Sequence, residues 1–145
     1  MKKNKFKFTH TFRIRYSEVD SQGIVFNAHY LTYFDCAITE YYRALKYNYA
    51  LDVKKNRKDF HVIKTIIDYK KPLLFDQLID TCVRISKIGN TSLTYEIGLY
   101  PLNQKILLAA GTIIQVYTDQ ITKKSTDLSS SLVKKIKKFE NKSNL

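Results

Sequence analysis

Asp20 and Asn27 bracket a short apolar run, Ile24-Val25-Phe26, that is unusual in a surface loop. A carboxylate beside such a run loses part of its hydration and can serve as a general base or a nucleophile. A helix that begins a few residues further on adds unpaired backbone N–H groups and the positive end of its dipole. A base or nucleophile next to an N–H cradle is the pairing that acyl transfer needs. Asp20 and Gly23 equally fit an ordinary turn, in which the aspartate accepts a local backbone N–H. The residues alone leave both readings open. Other reactive signatures are absent: the chain has no GxSxG, Walker loop, GxGxxG or HExxH. His10, His29 and His61 lack metal-ligand spacing, so no metal site is expected.

The elements that must position these groups follow from periodicity. Residues 6–15 alternate, with apolar side chains at even numbers, which predicts a strand with one buried face. The polar segment 16–23 then reads as a turn. Beyond it the period changes. Leu31, Phe34, Ile38, Tyr41, Tyr42 and Leu45 recur at helical spacing, with Ala37 and Ala44 on the same side. This predicts a helix over 28–46 with Asn27 as its N-cap. Small residues in the stripe let a sheet pack closely over it. Residues 52–59 read as a polar loop. Four strands are expected over 62–70, 78–88, 92–100 and 106–118, joined by short turns into an antiparallel meander. Residues 132–139 read as a short basic amphipathic helix, with the last residues of the chain loose. The layout is α+β, one long helix packed on an antiparallel sheet. The expected division is a body over 1–128 and a basic C-terminal helix and tail over 129–145.

Length and composition narrow the field. The 145 residues suit one domain. Hydrophobic residues at 44% and charged residues at 26% exclude disorder over most of the chain. No apolar run approaches the roughly 20 residues of a membrane-spanning helix. The basic N-terminus has no apolar run behind it, so no secretory signal is expected. Cys36 and Cys82 form no CxxC pair and point to a reducing compartment, the cytoplasm. The net charge of +12 is uneven. Residues 1–10 carry Lys2, Lys3, Lys5 and Lys7 with no acid. Residues 131–145 carry Lys134, Lys135, Lys137, Lys138 and Lys142 against Glu140 alone. The body between is only mildly basic and shows no nucleic-acid module, so nucleic acid is not an expected partner. The excess at the two ends suits an anionic membrane surface, or simply solubility.

At this point the residues carry a resemblance. Tyr16-x-x-x-Asp20-x-x-Gly23-Ile24-Val25-Phe26-Asn27-Ala28-x-Tyr30-Leu31-x-Tyr33-Phe34 resembles the signature of the 4-hydroxybenzoyl-CoA thioesterase branch of the hotdog-fold acyl-CoA thioesterases. Gly111-Thr112, Val116-Tyr117-Thr118-Asp119 and Thr122-Lys123-Lys124 are similar to that family's last-strand pattern. The resemblance spans residues 8–127. It implies a hotdog fold, a five-stranded antiparallel sheet wrapped around one long helix. It also implies an acyl-CoA thioesterase, which hydrolyses a CoA thioester to a free carboxylic acid and CoA. Asp20 falls on the family's catalytic aspartate, attacking the thioester carbonyl or activating a water. Asn27 falls where a backbone N–H holds the oxyanion. Gly23 lets backbone approach the substrate, and Tyr16, Ile24, Val25, Phe26 and His29 border it. Lys70, Lys71, Arg84 and Lys87 are placed to meet the CoA phosphates. Thiolate leaves readily, so no metal or cofactor is required. Relatives place the site across a subunit interface, so a homodimer or homotetramer is expected.

One position departs from the pattern. Many relatives carry His where this chain has Asn27, and the nearest imidazole is His29. A second hotdog branch uses a helical carboxylate, a part that Glu40 could fill; its spacing to Arg43 reads instead as a surface i,i+3 pair. Two rival functions share the fold: an acyl-carrier-protein thioesterase, and a non-catalytic acyl-CoA-binding module.

Overall fold

The computed structural model describes residues 1–141. Lys142 and the expected loose terminus lie outside the described residues. The alternation near the N-terminus produces β1 (Phe8–Arg13), with Phe8, His10 and Phe12 turned inward and Thr9, Thr11 and Arg13 outward. A 3-10 turn over Tyr16–Glu18 follows. α1 (His29–Ala44) buries Tyr30, Tyr33, Phe34, Ala37, Ile38, Tyr41 and Tyr42. Leu31, expected on the buried stripe, is 47% exposed. The stripe is rotated because Tyr30 and Tyr33 go inside, where Tyr33 finds a carboxylate partner and Tyr30 a second tyrosine ring.

The helix is covered by β2 (Lys58–Tyr69), β3 (Leu78–Ile88), β4 (Ser92–Pro101) and β5 (Ala109–Asp119), together with β1. These form one antiparallel sheet in the order β1-β3-β4-β5-β2. The sheet wraps α1, the hotdog arrangement that the resemblance implies. Gly111 of β5 marks a close approach: a methyl group there would collide with the Phe34 ring of α1.

The expected meander holds only for β3-β4-β5. β2 pairs with β5, not β3, and occupies the far edge of the sheet. The segment between β2 and β3 is therefore a crossover rather than a hairpin turn. It passes the start of α1, where the Leu73 carbonyl accepts the Val25 N–H at 2.9 Å and Leu74 bridges to Ile24.

Two further expectations are corrected. The polar loop over 52–59 is largely α2 (Tyr49–Asn56). The Asn48 side chain caps it by accepting the Leu51 N–H at 2.9 Å, and Arg57 closes it in the left-handed region. The Tyr47 and Tyr117 hydroxyls both donate to Asp52. The helix fully buries none of its residues and rests on the core through Tyr49, so its apolar period in the sequence is weak. β5 begins at Ala109, three residues later than expected.

α3 (Ser130–Glu140) is capped by the Ser129 hydroxyl, which accepts the Leu132 N–H at 3.2 Å. Its Leu132 and Ile136 are fully buried in the same apolar cluster as the side chains of α1 and the sheet. Each such burial stabilises by about 1.5–3 kcal/mol. The Glu140 carboxylate is buried too, accepting from the Tyr41 hydroxyl of α1 at 2.6 Å and the Ile85 N–H of β3 at 3.2 Å. No helix among the described residues is long and apolar enough to cross a membrane.

Candidate active site

The segment from Val19 to Val25 folds as a tight hairpin. Val19 bridges Val25, the Gly23 N–H donates to the Asp20 carbonyl at 3.0 Å, and the Asp20 N–H donates to the Ile24 carbonyl at 2.9 Å. This is a turn closed by a left-handed residue, the arrangement of a three-residue hairpin loop. Gly23 takes the left-handed position with φ of 76°, where a side chain would be strained. Its role in the structure is this turn. The Asp20 side chain joins in through one oxygen, Oδ1, which accepts the Gln22 N–H at 2.8 Å. Oδ2 accepts no hydrogen bond among the described residues, and the carboxylate is half-buried.

The hairpin is held from below by Glu18. Its carboxylate accepts the Arg15 N–H at 2.8 Å, the Arg15 Nε–H at 2.9 Å and the Tyr33 hydroxyl at 2.8 Å. Its main-chain carbonyl accepts the Phe26 N–H at 2.9 Å. One buried residue thus ties the turn to α1 and to the segment that enters it. Burial alone would raise the Glu18 pKa. The hydrogen bonds from Arg15 and Tyr33 and the Arg15 charge outweigh burial and hold it below the ordinary value. Burial, and then the adjoining carboxylate, push the Tyr33 hydroxyl well above its ordinary range.

α1 opens without a side-chain cap. Ala28 occupies the N-cap position in helical conformation, so Asn27 does not cap the helix as the sequence suggests. Its carbonyl accepts the Tyr30 N–H at 3.3 Å, and the Phe26 carbonyl accepts the His29 N–H at 3.0 Å. The Asn27 and Ala28 N–H groups have no acceptor among the described residues. The first turn carries no acidic residue to neutralise the dipole.

Asp20 and this helix start face one cleft of about 590 Å³, walled by Ile24, Val25, Phe26, Asn27, Tyr30, Tyr69, Lys70, Lys71 and Pro72. Tyr30 and Tyr69 meet edge to face at 4.9 Å. The cleft combines apolar walls that suit an acyl group with the Asp20 carboxylate, Asn27 at the helix start and the lysines Lys70 and Lys71. A thioester carbonyl lying between Asp20 and the Asn27 N–H would be polarised at its oxygen and approached at its carbon.

Of the residues singled out from sequence, Asp20, Ile24, Val25, Phe26 and Asn27 meet in this cleft. Gly23 sits in the adjoining turn. Tyr16 lies outside, 82% exposed and edge-on to Phe75. His29 is half-buried, its ring 6.0 Å from that of Phe26. Lys70 and Lys71 line the cleft, whereas Arg84 does not and is bound to Glu96 at 2.8 Å. Glu40 pairs with Arg43, as its i,i+3 spacing suggests. Sequence reasoning missed Glu18, Tyr69 and Pro72. Tyr69 reaches the cleft from the end of β2, and Pro72 from the β2–β3 crossover that follows it. A signal for Glu18 existed in Arg15 three residues before it.

A profile of the thioesterase superfamily matches residues 22–107. The acyl-CoA thioesterase YbgC of Haemophilus influenzae is 28% identical over 107 residues, covering 73% of this chain and 76% of its own. The acyl-CoA thioester hydrolase YbgC of Escherichia coli O6:H1 is 25% identical over 125 residues, covering 86% and 92%. Among solved structures, a DHNA-CoA thioesterase from Staphylococcus aureus superimposes with a TM-score of 0.84 at 20% identity, over 92% of this chain and 90% of that one.

Proposed function

The chain belongs to the thioesterase superfamily, and from that premise we propose that it is a thioester hydrolase cleaving an acyl-CoA to the free carboxylic acid and CoA. The observation that carries this reading is that Asp20 and Asn27, whose N–H has no acceptor among the described residues, line one apolar-walled cleft at the start of α1. The cleft's two lysines suit the polyanionic CoA.

Two routes fit the Asp20 carboxylate. As general base it takes a proton from water while the water oxygen bonds to the carbonyl carbon. As nucleophile it forms an acyl–aspartyl anhydride that water then opens. In both, the carbonyl oxygen becomes an oxyanion held by the Asn27 N–H and the helix dipole. Collapse of the tetrahedral species then expels the CoA thiolate. The role of Asn27 lies in its main-chain N–H. Ile24, Val25 and Phe26 border the acyl group and Gly23 shapes the turn, while His29 stays against Phe26 and Tyr16 outside the cleft.

The same reading extends to assembly and place. β2 is an edge strand whose Val62, Ile63, Ile66 and Tyr69 are about half exposed or more. An open edge with apolar side chains favours pairing with another copy, which supports a homodimer or a dimer of dimers. Tyr69 would carry that seam to the cleft. Cys36 and Cys82 are both free, which supports a reducing, cytoplasmic setting. The basic C-terminal segment suits peripheral contact with an anionic membrane.

The test is release of free thiol from a panel of aliphatic and aromatic acyl-CoAs. At least one should be turned over with equimolar acid and CoA. Binding of acyl-CoA without any turnover would replace the enzyme with a binding module.

A further inference from the structure

We infer that the C-terminal helix is a docked electrostatic foot, which sets the protein on an anionic lipid surface through its lysine face without inserting. The inference rests on the reading above only for which end of the molecule takes substrate.

A basic amphipathic helix can lie in a bilayer interface with its apolar stripe immersed. The structure spends that stripe elsewhere. Leu132 and Ile136 are 1% and 0% exposed, and Glu140 is tied to the Tyr41 hydroxyl and the Ile85 N–H. Insertion would strip the core and leave those partners unsatisfied. What α3 offers outward is cationic. Lys134 and Lys138 are exposed, and Lys135 reaches back to donate to the Lys46 carbonyl at 3.0 Å. None of Lys46, Lys134, Lys135 or Lys138 forms an ion pair among the described residues. Lys137 instead borders a cleft with Asp127. Lys7 joins from the N-terminal side: with its amide turned to donate to the Lys138 carbonyl, Asn141 accepts from Lys7 Nζ at 3.0 Å.

Between the end of α1 and α3 lies an open groove of about 460 Å³, floored by Ala44, Leu45 and Phe139 and rimmed by Lys46, Lys135 and Lys138. Ammonium groups free of ion pairs around an apolar floor complement an anionic headgroup and the first carbons of its chain. The composition argues against a protein partner. Protein interfaces are depleted in Lys and enriched in Arg, Tyr and Trp, whereas an anionic bilayer rewards each clustered Lys independently of geometry.

The orientation has a consequence. Tyr30 lines the Asp20 cleft and Ala44 lines the lysine groove, so the two lie at opposite ends of α1, roughly 21 Å apart along its axis. The docked protein presents its cleft away from the bilayer and draws acyl-CoA from the aqueous side.

The experiment is co-sedimentation of the full chain with vesicles of phosphatidylcholine alone, or of phosphatidylcholine with 30% phosphatidylglycerol. Binding is expected only to the anionic vesicles, and 0.5 M NaCl should abolish it by screening. The triple variant Lys46→Gln/Lys134→Gln/Lys138→Gln should bind about 100-fold more weakly, each lysine contributing about fivefold. Its melting temperature and acyl-CoA hydrolysis should match wild type. Binding that survives high salt, or that neutral vesicles also show, means insertion and overturns the inference. Absence of binding to anionic vesicles also overturns it and leaves the lysine face to an acidic protein. Thiol release measured on the same preparation reports on the enzymatic reading separately.

Discussion

Asp20 and Glu18 are two carboxylates two residues apart with opposite environments. Asp20 is half-buried with one oxygen free, while Glu18 is buried with both oxygens engaged. The first suits reaction and the second suits positioning. Because native hydrogen bonds hold Glu18 below its ordinary pKa, its contribution to stability is present above the unfolded value. It is lost as pH falls through the native one. Glu18→Gln should destabilise by about 1–3 kcal/mol at neutral pH and flatten the loss of melting temperature between neutral and acid pH, both read by thermal unfolding across pH. Asn27 separates side chain from main chain. Asn27→Ala keeps the N–H and should leave kcat within a few-fold. Asn27→Pro removes that N–H and should cost about 10²–10³ in kcat, with thiol release as the assay. The chemistry-bearing stretch was legible because Asp20, the apolar run and the helix start are contiguous. Glu18 was not, because an acid in a polar turn looks solvated until its burial under Tyr33 is seen.

At the level of elements, local period carried the reading where an element has one buried face. β1, α1, β3 and β4 lie within a few residues of their expected places. α2 escaped because none of its residues is fully buried and its anchors are tyrosines, Tyr49 at its first position and Tyr47 and Tyr117 outside it, rather than an apolar stripe. The position of β2 escaped for another reason. Strand order depends on which edge of the sheet a crossover reaches, and short polar connections look alike whether they turn back or cross. The end of β2 and that crossover bring Tyr69, Lys70, Lys71 and Pro72 to the cleft, so this half of its wall was legible only as scattered charge. The tight seam between α1 and β5 gives an element-scale test. Gly111→Ala pushes a methyl into the Phe34 ring and should cost about 1–3 kcal/mol, measured by chemical denaturation. The same variant paired with Phe34→Leu should recover part of that loss.

For the whole molecule, charge and chemistry divide along α1. Its N-terminal end holds the cleft with Asp20, Asn27 and two lysines. Its C-terminal end meets α3 and the lysine groove. The +12 of the chain is therefore not one property. Lys70 and Lys71 belong to the cleft, and the clustered C-terminal lysines belong to a separate surface. The central claim is that Asp20 drives thioester hydrolysis in the first of these regions. The direct measurement compares kcat/KM of wild type and Asp20→Asn on the best acyl-CoA substrate, with the fold of the variant checked by circular dichroism. A fall of at least about 10²-fold is expected, the usual scale for a lost general base, with the melting temperature little changed. An Asp20→Asn variant that is folded and as active as wild type would contradict that claim.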